Sequence, residues 1–283
     1  MRQRLRSLPR AMKRACAALA VVFAASSVGG VARAQQTGGA GTQRQPTRTP
    51  KASATIDLTG YWVSLVDDEW RWRMMTPPKG DFSFVPLNAE GRRVAGLWDP
   101  AADEAAGNQC RAFGAAGIMR LPERLHIAWA DDNTIEIDID AGTQKRLLHF
   151  DGSKWNGGEA QWQGDSVASW QKQAQSNGFG RPVMNASQGG GSLEVMTTHM
   201  RPGYLRKNGV PYSANAVLTE YFDRLDTDGE SYLIVTGVVD DPQYLTGRFV
   251  TTEQFKHETD GAKWNPTPCK IAPPTRAERV AGP

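Results

Sequence analysis

Beyond residue 35 the sequence lacks any apolar run near the roughly 20 residues that a membrane helix requires, which excludes helical spans from its body. Cysteine is scarce, with three in 283 residues, too few for a small scaffold stapled throughout by disulfides. No Cys-x-x-Cys or paired-histidine motif accompanies them, so no zinc site is expected. There is no phosphate-binding loop, dinucleotide fingerprint, nucleophile elbow or His-Glu-x-x-His motif. Cofactors are therefore expected to be none and metals none. A strong charge of one sign is also missing, since 33 Lys+Arg face 30 Asp+Glu for a net +3. What is present is a globular composition. With 40% hydrophobic and 22% charged residues, wholesale disorder is excluded, and the length suffices for a sizeable core.

The net charge hides a strong asymmetry. Arg2, Arg4, Arg6, Arg10, Lys13 and Arg14 precede an apolar stretch from Ala15 to Ala32, which runs into Ala32-Arg33-Ala34. A basic head, an apolar middle and small residues around a cleavage point define a secretory signal peptide. Cys16 opens the apolar stretch rather than following it, which argues against a lipid anchor. Residues 1–34 carry seven cations and no acid, so the mature chain is expected to be −4. Residues 35–55, rich in Gly, Thr, Gln and Pro, read as a flexible linker with three further cations. The tail 270–283 adds a net +2, which leaves the body, 56–269, at −9. An acidic body has no electrostatic basis for nucleic-acid binding. The expected place is the periplasm or outside the cell, by a Sec-type signal, with no membrane span after cleavage.

In that compartment Cys110 and Cys269, the two cysteines left after cleavage, are expected to form one disulfide. A catalytic cysteine with a spare is the alternative.

The body reads mainly as strands. Residues 58–66 and 69–75 are rich in Trp and Val, and Trp70, Trp72 and Met74 alternate with charged residues. Residues 88–98 predict a helix capped by Asn88 and stopped at Asp99-Pro100, and a second short helix is expected over 101–107. Candidate strands follow at 119–129, 133–139, 144–150, 160–170, 193–200, 215–225, 231–239 and 248–257, several joined by tight Asp-, Asn- and Gly-bearing turns. A Gly/Gln/Ser-rich stretch at 173–191 reads as a mobile loop. Many strands, one or two early helices and no alternation of strand and helix predict an antiparallel meander closing into a lipocalin-like barrel or curled sheet, in a single domain.

Candidate chemistry rests on polar residues set in apolar faces. One face of 193–199 reads Leu193, Val195, Thr197, His199, and one face of 216–224 reads Ala216, Leu218, Glu220, Phe222. If these face inward, His199 and Glu220 are a candidate general acid/base pair, and Thr236 lines the same interior. His149, just before the Asp151-Gly152 turn, is a rim candidate. The segment 197–213 gathers Arg201, Tyr204, Arg206 and Tyr212 around rigid turn residues, a composition suited to ligand contact. Nine tryptophans are many for one domain and predict either a Trp-rich core or an aromatic-lined pocket.

The segments PLNAEGRRVAGLWDP (86–100), RLLHFDG (146–152), NGVPYS (208–213), VDDPQYLTGRFV (239–250) and KWNPTPC (263–269) resemble a broad family of exported bacterial proteins with a C-terminal DPxYLT…KWNPTPC pattern. The resemblance covers most of 57–269. It implies one exported domain with cysteine-bearing segments at Cys110 and Cys269, and it implies no activity.

Three functions are compatible with these features. The first is an exported barrel that binds a small hydrophobic or aromatic molecule in an aromatic-lined cavity. The second is a cofactor-free isomerase, lyase or hydrolase using His199 and Glu220. The third is an envelope interaction protein without a cavity.

Overall fold

A computed structural model describes residues 48–172, 191–271 and 273–274. Residues 1–47, on which the expected signal peptide and most of the expected linker fall, residues 173–190 of the glycine-rich stretch, residue 272 and residues 275–283 lie outside the described residues.

The strands are β1 (Gly60–Leu65), β2 (Arg124–Trp129), β3 (Thr134–Ile139), β4 (Ala141–Gly142), β5 (Gln144–His149), β6 (Asp165–Lys172) and β7 (Gly191–Thr198), followed by β8 (Gly203–Arg206), β9 (Val210–Tyr212), β10 (Val217–Thr227), β11 (Glu230–Asp240), β12 (Phe249–Glu258) and β13 (Thr267–Pro268). Four short helices precede β2: α1 (Trp70–Arg73), α2 (Ala89–Gly96), α3 (Pro100–Ala105) and α4 (Ala115–Ile118). Nine strands close a barrel in the order β1-β12-β11-β10-β7-β6-β5-β3-β2. The predicted barrel and meander order are therefore present. One barrel interface departs from the antiparallel expectation: β5 and β6 run parallel, pairing Leu148 with Ser166 and His149 with Val167, and outside the barrel the short β4 and β13 also pair parallel. Parallel neighbours need a crossover. Here it is the 150–164 connector, which returns along the outside of β5.

The inward-facing parity follows the apolar pattern. Leu193, Val195 and Thr197 of β7 are buried, as are Leu218, Glu220 and Phe222 of β10. On β11 the parity is the reverse of that expected. Leu233, Val235 and Val239 face inward, and Thr236 lies on the outer face, its hydroxyl 3.1 Å from that of Thr252. Ile234 and Val238 made the outer face look equally apolar in sequence.

The insertions between β1 and β2, between β7 and β10, and between β11 and β12 cover one end of the barrel. Their core joins Leu87, Ala95, Leu205, Val210, Leu245 and Phe249. The caps explain why α2 and α3 form where they do. The Asn88 side chain accepts from Gly91 N at 2.8 Å, and the Asp99 carboxylate accepts from Ala101 N at 3.0 Å, with Pro100 at the first helical position. The alternating stretch 69–75 is a single helical turn, not a strand. Glu69 sits at φ 52° and turns the chain, and Arg73, not a tryptophan, is buried. Its guanidinium donates to Arg120 O, Leu65 O and Ser64 Oγ at 2.8–3.1 Å. The strand predicted to start at 119 begins only at Arg124, because α4 and a turn occupy 115–123.

A Cys110–Cys269 disulfide ties the cap to the chain beyond β12 across 159 positions. The last residues of the expected linker are also ordered. Lys51 N donates to Asp132 O at 3.2 Å, and the Trp170 indole donates to Pro50 O at 2.9 Å, so residues 49–53 pack against the end of the barrel opposite the cap. Among the described residues no helix is long and apolar enough to cross a membrane.

Candidate functional site

The barrel interior is filled. Trp62, Ile127, Ile137, Leu148, Phe222 and Phe255, from strands all around the ring, are at most 1% exposed and belong to one apolar cluster. The aromatic residues expected to line a lumen serve other places. Trp62 is core, and Trp129, Trp170 and Phe150 pack together with ring centroids 5.4–6.4 Å apart beside the end opposite the cap. Trp264 packs outside against Tyr61.

Glu220 and His199 are not brought together. Glu220 is buried in the lumen and takes a bidentate ion pair from the equally buried Arg146, with N–O distances of 3.0 and 2.5 Å. Thr197 Oγ1 accepts a third guanidinium bond at 3.4 Å and lies 2.8 Å from Ser166 Oγ. His199 instead follows β7 with φ 54° and stacks on Trp155, ring centroids 3.9 Å apart. That contact belongs to a cleft outside the barrel. Both carboxylate oxygens of Glu220 are committed to Arg146, so the acid/base pair expected from the strand faces is not formed. His149 is at the edge of the same outer cleft, its Nδ1 3.4 Å from Thr134 Oγ1.

The 197–213 segment is the β8–β9 hairpin and its approach, and it splits by function. Arg201 lies over the Trp162 ring at 4.5 Å. Arg206 is a buried anchor. It donates to Ser83 O at 2.7 Å and lies 5.1 Å from the Trp72 ring, and burial, followed by the nearby Arg120 charge, holds its pKa down to about 10. Tyr204 and Tyr212, in contrast, line a cleft of about 310 Å³ between α2–α3 and the hairpin. Its volume is at the lower edge of the range usual for small-molecule sites.

This cap cleft is built from aromatic and apolar walls, with the Asp99 helix cap at its edge and one polar cluster inside. Val94, Leu97, Trp98, Pro202 and Tyr244 supply wall surface, and Leu97 is 67% exposed there. At one side Asp103, Arg111 and Tyr204 form a closed triangle. The Tyr204 hydroxyl donates to Asp103 at 2.6 Å and accepts from Arg111 at 3.0 Å, and Arg111 pairs with Asp103 at 2.7 Å. Burial and then the Asp103 bond push the Tyr204 phenol up to about 12, so it stays a donor at neutral pH. For Arg111, burial opposes the charge, yet the Tyr204 and Asp103 contacts outweigh it and raise its pKa. Beneath the cleft Tyr212 is fully buried and its hydroxyl has no hydrogen-bond partner. It fits only because Gly114 and Gly203 stand beside it: a Cβ on either would come within 2.1 and 2.6 Å of that hydroxyl. The disulfide half Cys110 adjoins Arg111 and fixes the start of this wall.

Tyr204 and Tyr212 were visible in sequence as hairpin aromatics, whereas Trp98, Asp103 and Arg111 were not singled out. Asp103 has a usable signal, an acid placed on the inner side of a short predicted helix. Arg111 has none beyond its neighbour Cys110.

Comparison with protein-family models, with curated proteins and with solved structures finds no match.

Proposed function

We propose that the protein is an exported binding protein whose packed barrel is a rigid scaffold and whose cap cleft holds a small hydrophobic or aromatic molecule. One observation carries this reading: aromatic and aliphatic walls, Trp98, Leu97, Tyr204 and Tyr244, converge on a single hydrogen-bonding triangle, Asp103–Arg111–Tyr204. A flat apolar body fits between the walls, and a hydroxyl or carboxyl on it meets Arg111 or Tyr204. Export is supported by the basic-apolar-small pattern of residues 1–34 and by the disulfide, which suits an oxidising compartment.

The test is purification of the mature protein from its native host, followed by mass spectrometry of whatever small molecule accompanies it. A planar or apolar compound is expected with the wild type and is expected to be lost from Trp98→Ala and from Tyr204→Phe. A protein that emerges empty, or variants that retain the compound at wild-type occupancy, would refute the reading.

A further inference from the structure

We propose that the outer cleft beside β5 is a second binding site, for a neutral saccharide. It is separate from the cap cleft and does not depend on it. The 150–164 connector stands off the outer face of β5 and the start of β6, enclosing about 540 Å³ that opens to solvent. Three features of its lining identify the ligand chemistry.

The first is an oriented, exposed aromatic platform. Trp155 is 46% exposed, yet it is held on several sides. Its indole N–H donates to Gly158 O at 3.3 Å, and its backbone N–H donates to Ser153 Oγ at 3.2 Å. Ser153 in turn donates to the Asp165 carboxylate, which also accepts from Lys154 N at 2.9 Å, so the platform is tied to the barrel wall. One ring face stacks on His199 at an angle of 13°. His199 is a non-glycine residue in the left-handed region, a conformation that persists where surrounding contacts hold it. A rigid half-exposed indole offers a flat apolar face to the C–H side of a sugar ring.

The second feature is the density of amides. Gln144, Asn156, Gln161 and Gln163 all line the cleft. Gln144 and Gln163 bond each other and the carbonyls of Gly142 and Phe113 and so form a fixed floor. Gln161 Nε2 donates to Glu159 O, and Asn156 Oδ1 accepts from Gly158 N. The groups presented to a ligand are the Asn156 Nδ2 donor and the Gln161 Oε1 acceptor, the pairing that vicinal hydroxyls require.

The third is charge balance. Lys145 is engaged by Glu136 and Asp138, and Lys154 by Asp151 at 2.6 Å. Asp165 is occupied by Ser153 and Lys154 N. The two lysines that line the cleft are thus paired with carboxylates and Glu159 adds a further acid to the lining, which gives an anionic ligand no purchase. A hydroxyl-rich, uncharged ring is the chemistry that fits.

The experiment uses the mature full-length chain on an array of immobilised neutral and acidic oligosaccharides, with titration of soluble maltotriose and tri-N-acetylchitotriose followed by tryptophan fluorescence. Saturable binding to at least one neutral glycan is expected. Trp155→Ala is expected to weaken it at least tenfold while leaving the melting temperature unchanged, and Trp98→Ala in the cap is expected to leave it unchanged. Should Trp155→Ala fold poorly, Leu147→Arg, on the exposed outer face of β5, fills the cleft with a long cationic chain and is expected to abolish binding. Binding on the array alone would assign the site to surface-attached glycans, and binding of the soluble trisaccharides as well would assign it to free sugars. Absence of neutral glycan binding, preference for acidic glycans, or equal affinity in the Trp155 and Leu147 variants would overturn the proposal.

Discussion

Breaking the Arg146–Glu220 pair tests whether Glu220 is part of the scaffold. Both side chains are at most 2% exposed, and both carboxylate oxygens meet the guanidinium. Removing one partner leaves a charge in the lumen among Leu148, Val195 and Phe222, with no route to water. Such a loss costs about 3–5 kcal/mol. For a domain of this size each kcal/mol shifts the melting temperature by about 2–4 °C, so Glu220→Gln and Arg146→Met are each expected to melt about 6–20 °C lower. The double variant Arg146→Met/Glu220→Leu removes both charges and fills the space with apolar atoms. It is expected to recover most of the loss, because replacing a whole buried pair is often neutral or stabilising. Thermal melts followed by circular dichroism read the losses, and the cycle that gives the coupling is closed with Glu220→Leu as the second single variant. A Glu220→Gln melting point within about 2 °C of wild type, or a double variant whose loss is the sum of the singles, would refute the argument.

Stability is expected to fall as pH rises from about 4.5 to about 7. Burial, against the opposing pull of Arg120 and Arg73, pushes the Glu253 carboxyl up to about 7, and burial with the Asp140 and Glu253 charges holds the fully enclosed Glu123 well above its ordinary range. The folded state keeps protons that the unfolded chain releases in that window, so the unfolding free energy read from urea titrations should decline across it, by on the order of 3 kcal/mol for Glu253. A profile flat through that window would disprove the assignment. Tyr212→Phe deletes a buried hydroxyl without a partner and is expected to be neutral or stabilising by about 1 kcal/mol, read by chemical denaturation. Gly203→Ala drives a Cβ to 2.5 Å from Arg111 O and 2.6 Å from the Tyr212 hydroxyl, and is expected to cost about 1–3 kcal/mol in the same assay. Cys110→Ser/Cys269→Ser opens a loop spanning 159 positions, and the chain-entropy account predicts a loss of about 5 kcal/mol, checked by melting with and without reductant.

The barrel was legible because alternation survives on most strands. Leu193, Val195 and Thr197, and Leu218, Glu220 and Phe222, point inward as their periodicity requires. Periodicity failed where it carried no contrast. β11 is apolar on both sides, so Thr236 was assigned to the wrong one. The 69–75 alternation was real in sequence but is overridden by the Glu69 turn and the demand of Arg73 for buried carbonyls. Arg146 offered a signal that was passed over. It shares parity with Leu148, which puts a cation on an inward face and calls for an acid opposite. The two clefts were largely hidden, because each joins segments far apart in the chain. Residues 94–111 meet 202–212 in one, and 144–166 meets His199 in the other.

Within the barrel the one parallel pair, β5 with β6, is a matter of arithmetic. Going once around a closed ring, strand direction must return to where it began, so the antiparallel steps must be even in number. Nine strands then force an odd number of parallel steps, and this ring takes the minimum of one. An eight- or ten-stranded barrel could be joined throughout by hairpins and would carry no strap along its side. The outer cleft is therefore tied to the strand count: adding or deleting one barrel strand would remove the need for the crossover and, with it, the wall that holds Trp155.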